Sequence, residues 1–137
     1  MIKKILCAID DTEHAMNAVV QAAEFSFKTG APLTLCMVNA LTGGLRSPPI
    51  YMYDDASIKK ILDNAASLAR QHGVKNTLET ELNGREISTA VIQYAEQNGF
   101  DHIVVGTGDK RGLSRLVLGS VAADIAGRAH CTVTVSR

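Results

Sequence analysis

HIVVGTGDKRGLSRLVLGSVAADIAGRAHCTVTV, residues 102–135, decides how this chain folds. It opens on His102, Ile103, Val104 and Val105, a short β-branched run that reads as a buried strand, and closes on a second strand pattern at Thr132, Val133, Thr134 and Val135. Between them lie a glycine-rich basic loop and, from Gly119, Ser120 and Val121, the start of a helix. Strand, helix and strand in that order are the unit of a parallel sheet. Gly106 and Gly108 are read as supplying backbone angles that other residues avoid. The free N–H groups of a helix start carry about half a positive charge, and Lys110, Arg111 and Arg115 add mobile charge nearby. An anion, and a phosphate above all, is favoured at such a place.

Two common nucleotide fingerprints do not fit. A P-loop needs lysine directly after its last glycine, whereas Gly119 is followed by Ser120 and Val121. A dinucleotide GxGxxG is missed by one residue, because Asp109, Lys110 and Arg111 separate Gly108 from Gly112, and it belongs in the first strand-helix unit.

Outward from this stretch the same alternation repeats. Residues 2–9 form an apolar run, and Ala15, Ala18, Val19, Ala22 and Phe25 then recur at helical spacing up to Gly30. A second strand spans 33–38, and Ile58, Ile61, Leu62, Ala65, Leu68 and Ala69 mark a helix that Gly73 stops. A more exposed strand spans 77–82, followed by Ile87, Ala90, Val91, Tyr94 and Ala95 on one helix face. With 102–105 and 132–135 this predicts one α/β domain over residues 1–137: a doubly wound open sheet of five parallel strands with four helices, Rossmann-like. The connection 40–55, with Gly43, Gly44, Pro48 and Pro49, is too turn-rich for a helix and reads as a mobile flap, either capping a ligand or crossing the surface.

Open parallel sheets bind ligands beyond the carboxyl ends of their strands, where neighbouring connections leave on opposite faces. Asp10, Val38 and Gly106 stand at such ends. Asp10 is suited to a ribose hydroxyl or to a nucleotide-bound Mg²⁺ through water; its plain alternative is a helix N-cap shared with Asp11 and Thr12. For Gly119 and Ser120 the plain alternative is an ordinary helix start with serine as the cap.

Composition narrows the function classes. The chain carries 14 Lys and Arg against 14 Asp and Glu, so its overall field attracts neither nucleic acid nor an acidic membrane surface. The first apolar run ends at Asp10, too short for a signal-peptide core, and no segment reaches the roughly 20 apolar residues of a membrane helix. A cytoplasmic protein is expected. Cys7, Cys36 and Cys131 lie in apolar runs without a CxxC pair and read as small buried hydrophobes. His14, His72, His102 and His130 have no metal-ligand spacing. Ser114 and Ser120 have no evident Ser-His-Asp setting, so catalysis is the weaker expectation.

The spacing Gly106, Gly119, Ser120 resembles the G-x2-G-x9-G-[ST] signature of the nucleotide-binding class of the universal stress protein family, with Asp109 at the middle glycine and Gly108 one residue before it. The resemblance covers nearly the whole chain. Residues 5–10 look like the family's opening strand, Val38 is similar to the residue whose backbone reads adenine, and Gly84 resembles the turn after the third strand. It implies a nucleotide site built from Ala8, Ile9, Asp10, Thr12, Val38, Gly106, Gly108, Asp109, Gly119, Ser120 and Val121. It also implies a homodimer paired through Thr132, Val133, Thr134 and Val135. The expected ligand is ATP, ADP or AMP, with Mg²⁺ entering only through the nucleotide. The expected role is a stress-response regulator acting on a protein partner yet to be identified. The alternatives are a dimeric interaction protein of the same family without a nucleotide and a slow ATPase.

Overall fold

The structure, a computed structural model, describes residues 1–107 and 118–137. Its centre is β1 (Ile5–Ile9), apolar along its length, which pairs in parallel with β2 (Leu33–Thr42) on one side and β5 (His102–Gly106) on the other. β4 (Thr77–Gly84) pairs with β2, and β6 (Thr132–Ser136) with β5, both in parallel, giving the order β4-β2-β1-β5-β6. The five expected strands are all present. A parallel sheet needs crossovers, and four helices supply them: α1 (Glu13–Thr29), α2 (Asp55–Gln71), α3 (Ile87–Gln97) and α4 (Ser120–Arg128).

Alternation along the strands divides the core in two. Ile5, Cys7 and Ile9 of β1 face α1 and α2, burying Ala18, Val19, Leu62 and Ala65. Leu6 faces α3 and α4 with Val91, Ala95, Ile103 and Ile125. Truncating a fully buried residue such as Leu6 to alanine costs about 2 to 5 kcal/mol. Cys7 and Cys36 are buried between these layers, as their apolar settings predict, and burial pushes the Cys36 thiol up to about 12. Cys131 is half-exposed and precedes β6, so for it the expectation of burial fails: at the sheet's edge only part of the side chain is covered.

The connection 40–55 differs from the expectation in a definite way. β2 continues past 38 to Thr42, and residues Ile50–Tyr51 form a short strand, β3, antiparallel to its end, with Leu41 opposite Tyr51 and Thr42 opposite Ile50. Gly43 and Gly44, at φ 72° and 92°, provide the left-handed backbone that reverses the chain. The glycines that argue for a turn therefore make a hairpin within this connection. β1 begins at Ile5 rather than at residue 2, because the amides of Lys3 and Lys4 bond to the Asp101 carboxylate.

Candidate functional site

α1 leaves the end of β1 on one face of the sheet and α4 packs on the other, so the ends of β1 and β5 diverge. A cavity of about 260 Å³ lies there. Ala8, Ile9, Asp10 and Thr12 line it from the end of β1, Val38 from β2, Gly106 from β5, and Gly119, Ser120 and Val121 from the start of α4. Nine residues from four separate stretches of the chain thus meet in one concavity. Gly108 and Asp109 lie outside the described residues, as do Lys110, Arg111, Ser114 and Arg115.

At the end of β1 the capping alternative is visible. Thr12 is the N-cap of α1 and its Oγ1 accepts the Ala15 N–H at 3.3 Å. The Asp10 carboxylate holds that residue in place: its Oδ1 accepts the Thr12 amide at 2.9 Å and the Thr12 hydroxyl at 2.6 Å. Asp10 is nevertheless exposed and lines the cavity. Val38 is the first β2 residue beyond the β1 register, which ends with Ile9 opposite Met37.

The start of α4 departs from the serine-cap alternative. Gly119 is the N-cap, in extended backbone at φ −61° and ψ 155°, and Ser120 is already the first helical residue. Among the described residues no side chain caps this helix, and its first residues Ser120 and Val121 line the cavity. The Gly119 amide donates to the Thr107 carbonyl at 2.7 Å, which fixes where the helix begins.

Gly106 corrects another expectation. It is not among the left-handed glycines; its requirement is spatial. A Cβ there would sit 2.6 Å from the His14 carbonyl oxygen and 3.1 Å from the Ala15 nitrogen, so the missing side chain lets the first turn of α1 lie directly against β5.

Tyr53, in the connection read as a possible cap, lines the cavity, while Thr107, His14 and Asn39, which sequence reasoning missed, hold the surrounding elements without lining it. Thr107 is buried; its amide donates to the Ser136 carbonyl at 2.9 Å and its hydroxyl shares a 3.1 Å hydrogen bond with Nδ1 of His14. It ties the ends of β5 and β6 to the starts of α1 and α4. Buried Asn39 pairs with the backbone of Tyr53 in both directions: its Nδ2 donates to the Tyr53 carbonyl, and its Oδ1 accepts the Tyr53 amide, each at 2.9 Å. This bond swings Met52 and Tyr53 into the cavity wall. Burial, then the Asp11 and Asp10 carboxylates, push the Tyr53 phenol up. A polar Asn39 inside an otherwise apolar strand was the available signal.

A second, more open cleft of about 990 Å³ adjoins the first and shares Met52, Ile87, Ser120 and Val121 with it. Ser88 of α3 donates to the Asp124 carboxylate of α4, which also receives Nε and an Nη of Arg128 at 2.8 Å each. Arg128 and Ser88 together hold the Asp124 carboxyl down at about 2.

Comparison with known proteins places these features in a group. Residues 1–137 match the universal stress protein family. A universal stress protein of Bacillus subtilis is 28% identical over the full length of both chains. One from Methanocaldococcus jannaschii is 36% identical over 77 residues, 56% of this chain but 44% of that protein. The solved structure of an Archaeoglobus fulgidus universal stress protein in complex with dAMP superposes with a TM-score of 0.72 at 26% identity, covering all of both chains. Among the described residues no helix is long and apolar enough to cross a membrane. With residues 1–137 matching the family and the strand order, helices and cavity as described, the chain belongs to the universal stress protein family.

Proposed function

We propose that this protein binds an adenine nucleotide in the 260 Å³ cavity and acts as a homodimeric cytoplasmic regulator whose partner affinity changes with occupancy. One observation carries the reading: the uncapped start of α4, the Asp10 carboxylate and the apolar Val38 wall all border a single cavity. The lining suits the ligand part by part. Val38 and Ile9 offer an apolar bed for a base, Asp10 an acceptor for ribose hydroxyls, and the Ser120 and Val121 amides an anion site. The dAMP complex of the Archaeoglobus relative supports an adenine ligand. Mg²⁺ would enter with the nucleotide, held through water by carboxylates such as Asp10.

β6 lies at the end of the sheet order with β5 as its one strand neighbour among the described residues, which supports dimerisation by pairing of 132–135 with its twin. The capping of Thr12 by Asp10 Oδ1 gives that residue a structural role, which supports the alternative of an interaction protein without nucleotide.

Calorimetry and thermal shift with ATP, ADP and AMP, with and without Mg²⁺, test the reading. Binding that Gly119→Val with Ser120→Ala removes, in a variant that still melts cooperatively, supports it. No heat and no shift for any of the three at millimolar concentration overturns it in favour of the interaction protein. Sedimentation of the wild-type chain as a monomer at tens of micromolar overturns the dimer.

A further inference from the structure

The larger cleft is not accounted for by a mononucleotide. Its position relative to the smaller cavity defines what it would receive. Ser120 and Val121 line both, so a phosphate held by the first turn of α4 sits on the boundary between them. With base and ribose in the smaller cavity, whatever is attached beyond that phosphate points into the larger one.

The walls of the larger cleft select the chemistry of that attachment. Its outer wall is the β2–β3 hairpin, where Ile50 is 67% exposed, Met52 61% and Tyr51 47%, an apolar surface left open to water. Its inner wall is the start of α3 and the flank of α4, where the charged side chains already have hydrogen-bond partners. Arg85, the one cation in this lining among the described residues, donates to the Gly43 carbonyl at 2.6 Å. Asp124 is matched by Arg128 and Ser88, and Glu86 accepts the Thr89 hydroxyl at 2.6 Å. With Ile50, Tyr51 and Met52 open to water on one wall, and Glu86 and Asp124 beside the single cation Arg85 among the described residues of the other, the cleft favours a neutral apolar group.

We propose that this cleft takes an apolar group carried on the phosphate of the bound nucleotide, so that the preferred ligand is an alkyl- or acyl-substituted adenosine monophosphate rather than free AMP. The inference rests on the nucleotide reading above, and its test separates the two. Calorimetry on the full chain compares AMP with its methyl and hexyl phosphodiesters, which carry the same charge and differ only in apolar length. The hexyl ester binds about tenfold or more tightly than the methyl ester if its chain is buried against the hairpin. Ile50→Ser with Tyr51→Ser, both on the outer wall and outside the smaller cavity, removes most of that gain while leaving methyl-ester affinity unchanged. Retained methyl-ester binding also reports that the variant is folded. Equal affinity for the two esters, with AMP bound, overturns this inference and leaves the nucleotide reading standing. A gain that survives the double substitution overturns the assignment to the cleft. Failure of AMP and both esters to bind overturns both.

Discussion

The two ends of the sheet are built on opposite plans. At the amino end of the strands, Gly30, Gly73 and Gly99 close three of the four helices that feed them, at φ 79°, 99° and 72°. Their neighbours are satisfied internally. The Gly30 amide returns to the Ser26 carbonyl at 2.8 Å, the Ser26 hydroxyl donates to the Ala31 carbonyl at 2.6 Å, and Asp101 accepts the amides of Lys3 and Lys4. Lys4 donates its ammonium to the Asn98 carbonyl and lies 4.4 Å from the centre of the Phe100 ring. At the carboxyl end, α1 and α2 are capped by Thr12 and Asp54, but α3 and α4 have no side-chain cap among the described residues. Both uncapped starts border the larger cleft, beside exposed hairpin residues. At the amino end the bonds just named are made within the fold and hold it together. An end that leaves donors and apolar surface unmatched holds binding capacity in reserve.

The contrast is broken most severely at Gly106. Gly106→Ala places a Cβ 2.6 Å from backbone that cannot step aside, and is expected to cost about 3 kcal/mol or more in urea unfolding, with loss of the site's shape. Gly30→Ala at the other end meets nothing within 4 Å and bears only the left-handed backbone penalty, about 1 to 2 kcal/mol, with ligand binding intact. Equal costs at the two positions would show that α1 does not need the missing Cβ of β5.

Asp101→Ala comes next. It leaves the Lys3 and Lys4 amides to water and is expected to lower stability by about 1 kcal/mol, a figure held down by the exposure of the site. Burial raises the Asp101 carboxyl, but the Lys4 and Lys3 amides outweigh it and hold it below the ordinary range. Its contribution is therefore complete above the ordinary aspartate range and lost as pH falls through the folded value, which acid titration of wild type against variant measures.

Gly119→Asp tests the reserve directly. A carboxylate at the N-cap supplies the missing acceptor, so stability should change by only a few tenths of a kcal/mol in the favourable direction. Nucleotide affinity measured by calorimetry should fall about tenfold or more, since the new charge occupies the anion's place. Unchanged affinity would show that the α4 start is not where phosphate binds.

The smallest effect is expected at His102, buried on β5 between the Phe25 ring, 5.2 Å away, and the Thr134 hydroxyl of β6 at 2.7 Å. Burial lowers its imidazole, opposed by the Asp101 carboxylate. A folded value below the unfolded one means stability is full above pH 6.5 and declines as pH falls through that region. His102→Phe should flatten this shallow slope in denaturant midpoints collected across pH.

Local chemistry made much of the fold legible. Apolar runs and helical spacing located all five parallel strands and four helices, because burial of a strand or helix face leaves a period in the chain itself. The ends of β1 and β5, and therefore Asp10 and Gly106, followed from the same pattern, and Gly119 marked the start of α4, whereas Val38 lines the cavity although β2 runs on to Thr42. The sequence alone could not show β3, whose two residues pair only because Gly43 and Gly44 return the chain onto β2. Nor could it show why Gly106 is glycine, since the atom it makes room for belongs to His14, ninety-two positions earlier. Asn39 holding Tyr53, Thr107 tying four elements together, and the Ser88, Asp124 and Arg128 cluster are likewise contacts between distant positions. Periodicity is a one-dimensional record of which face is buried. Which polar groups are satisfied, and which are left free to bind, is decided only when separate elements are brought within about 3 Å of one another.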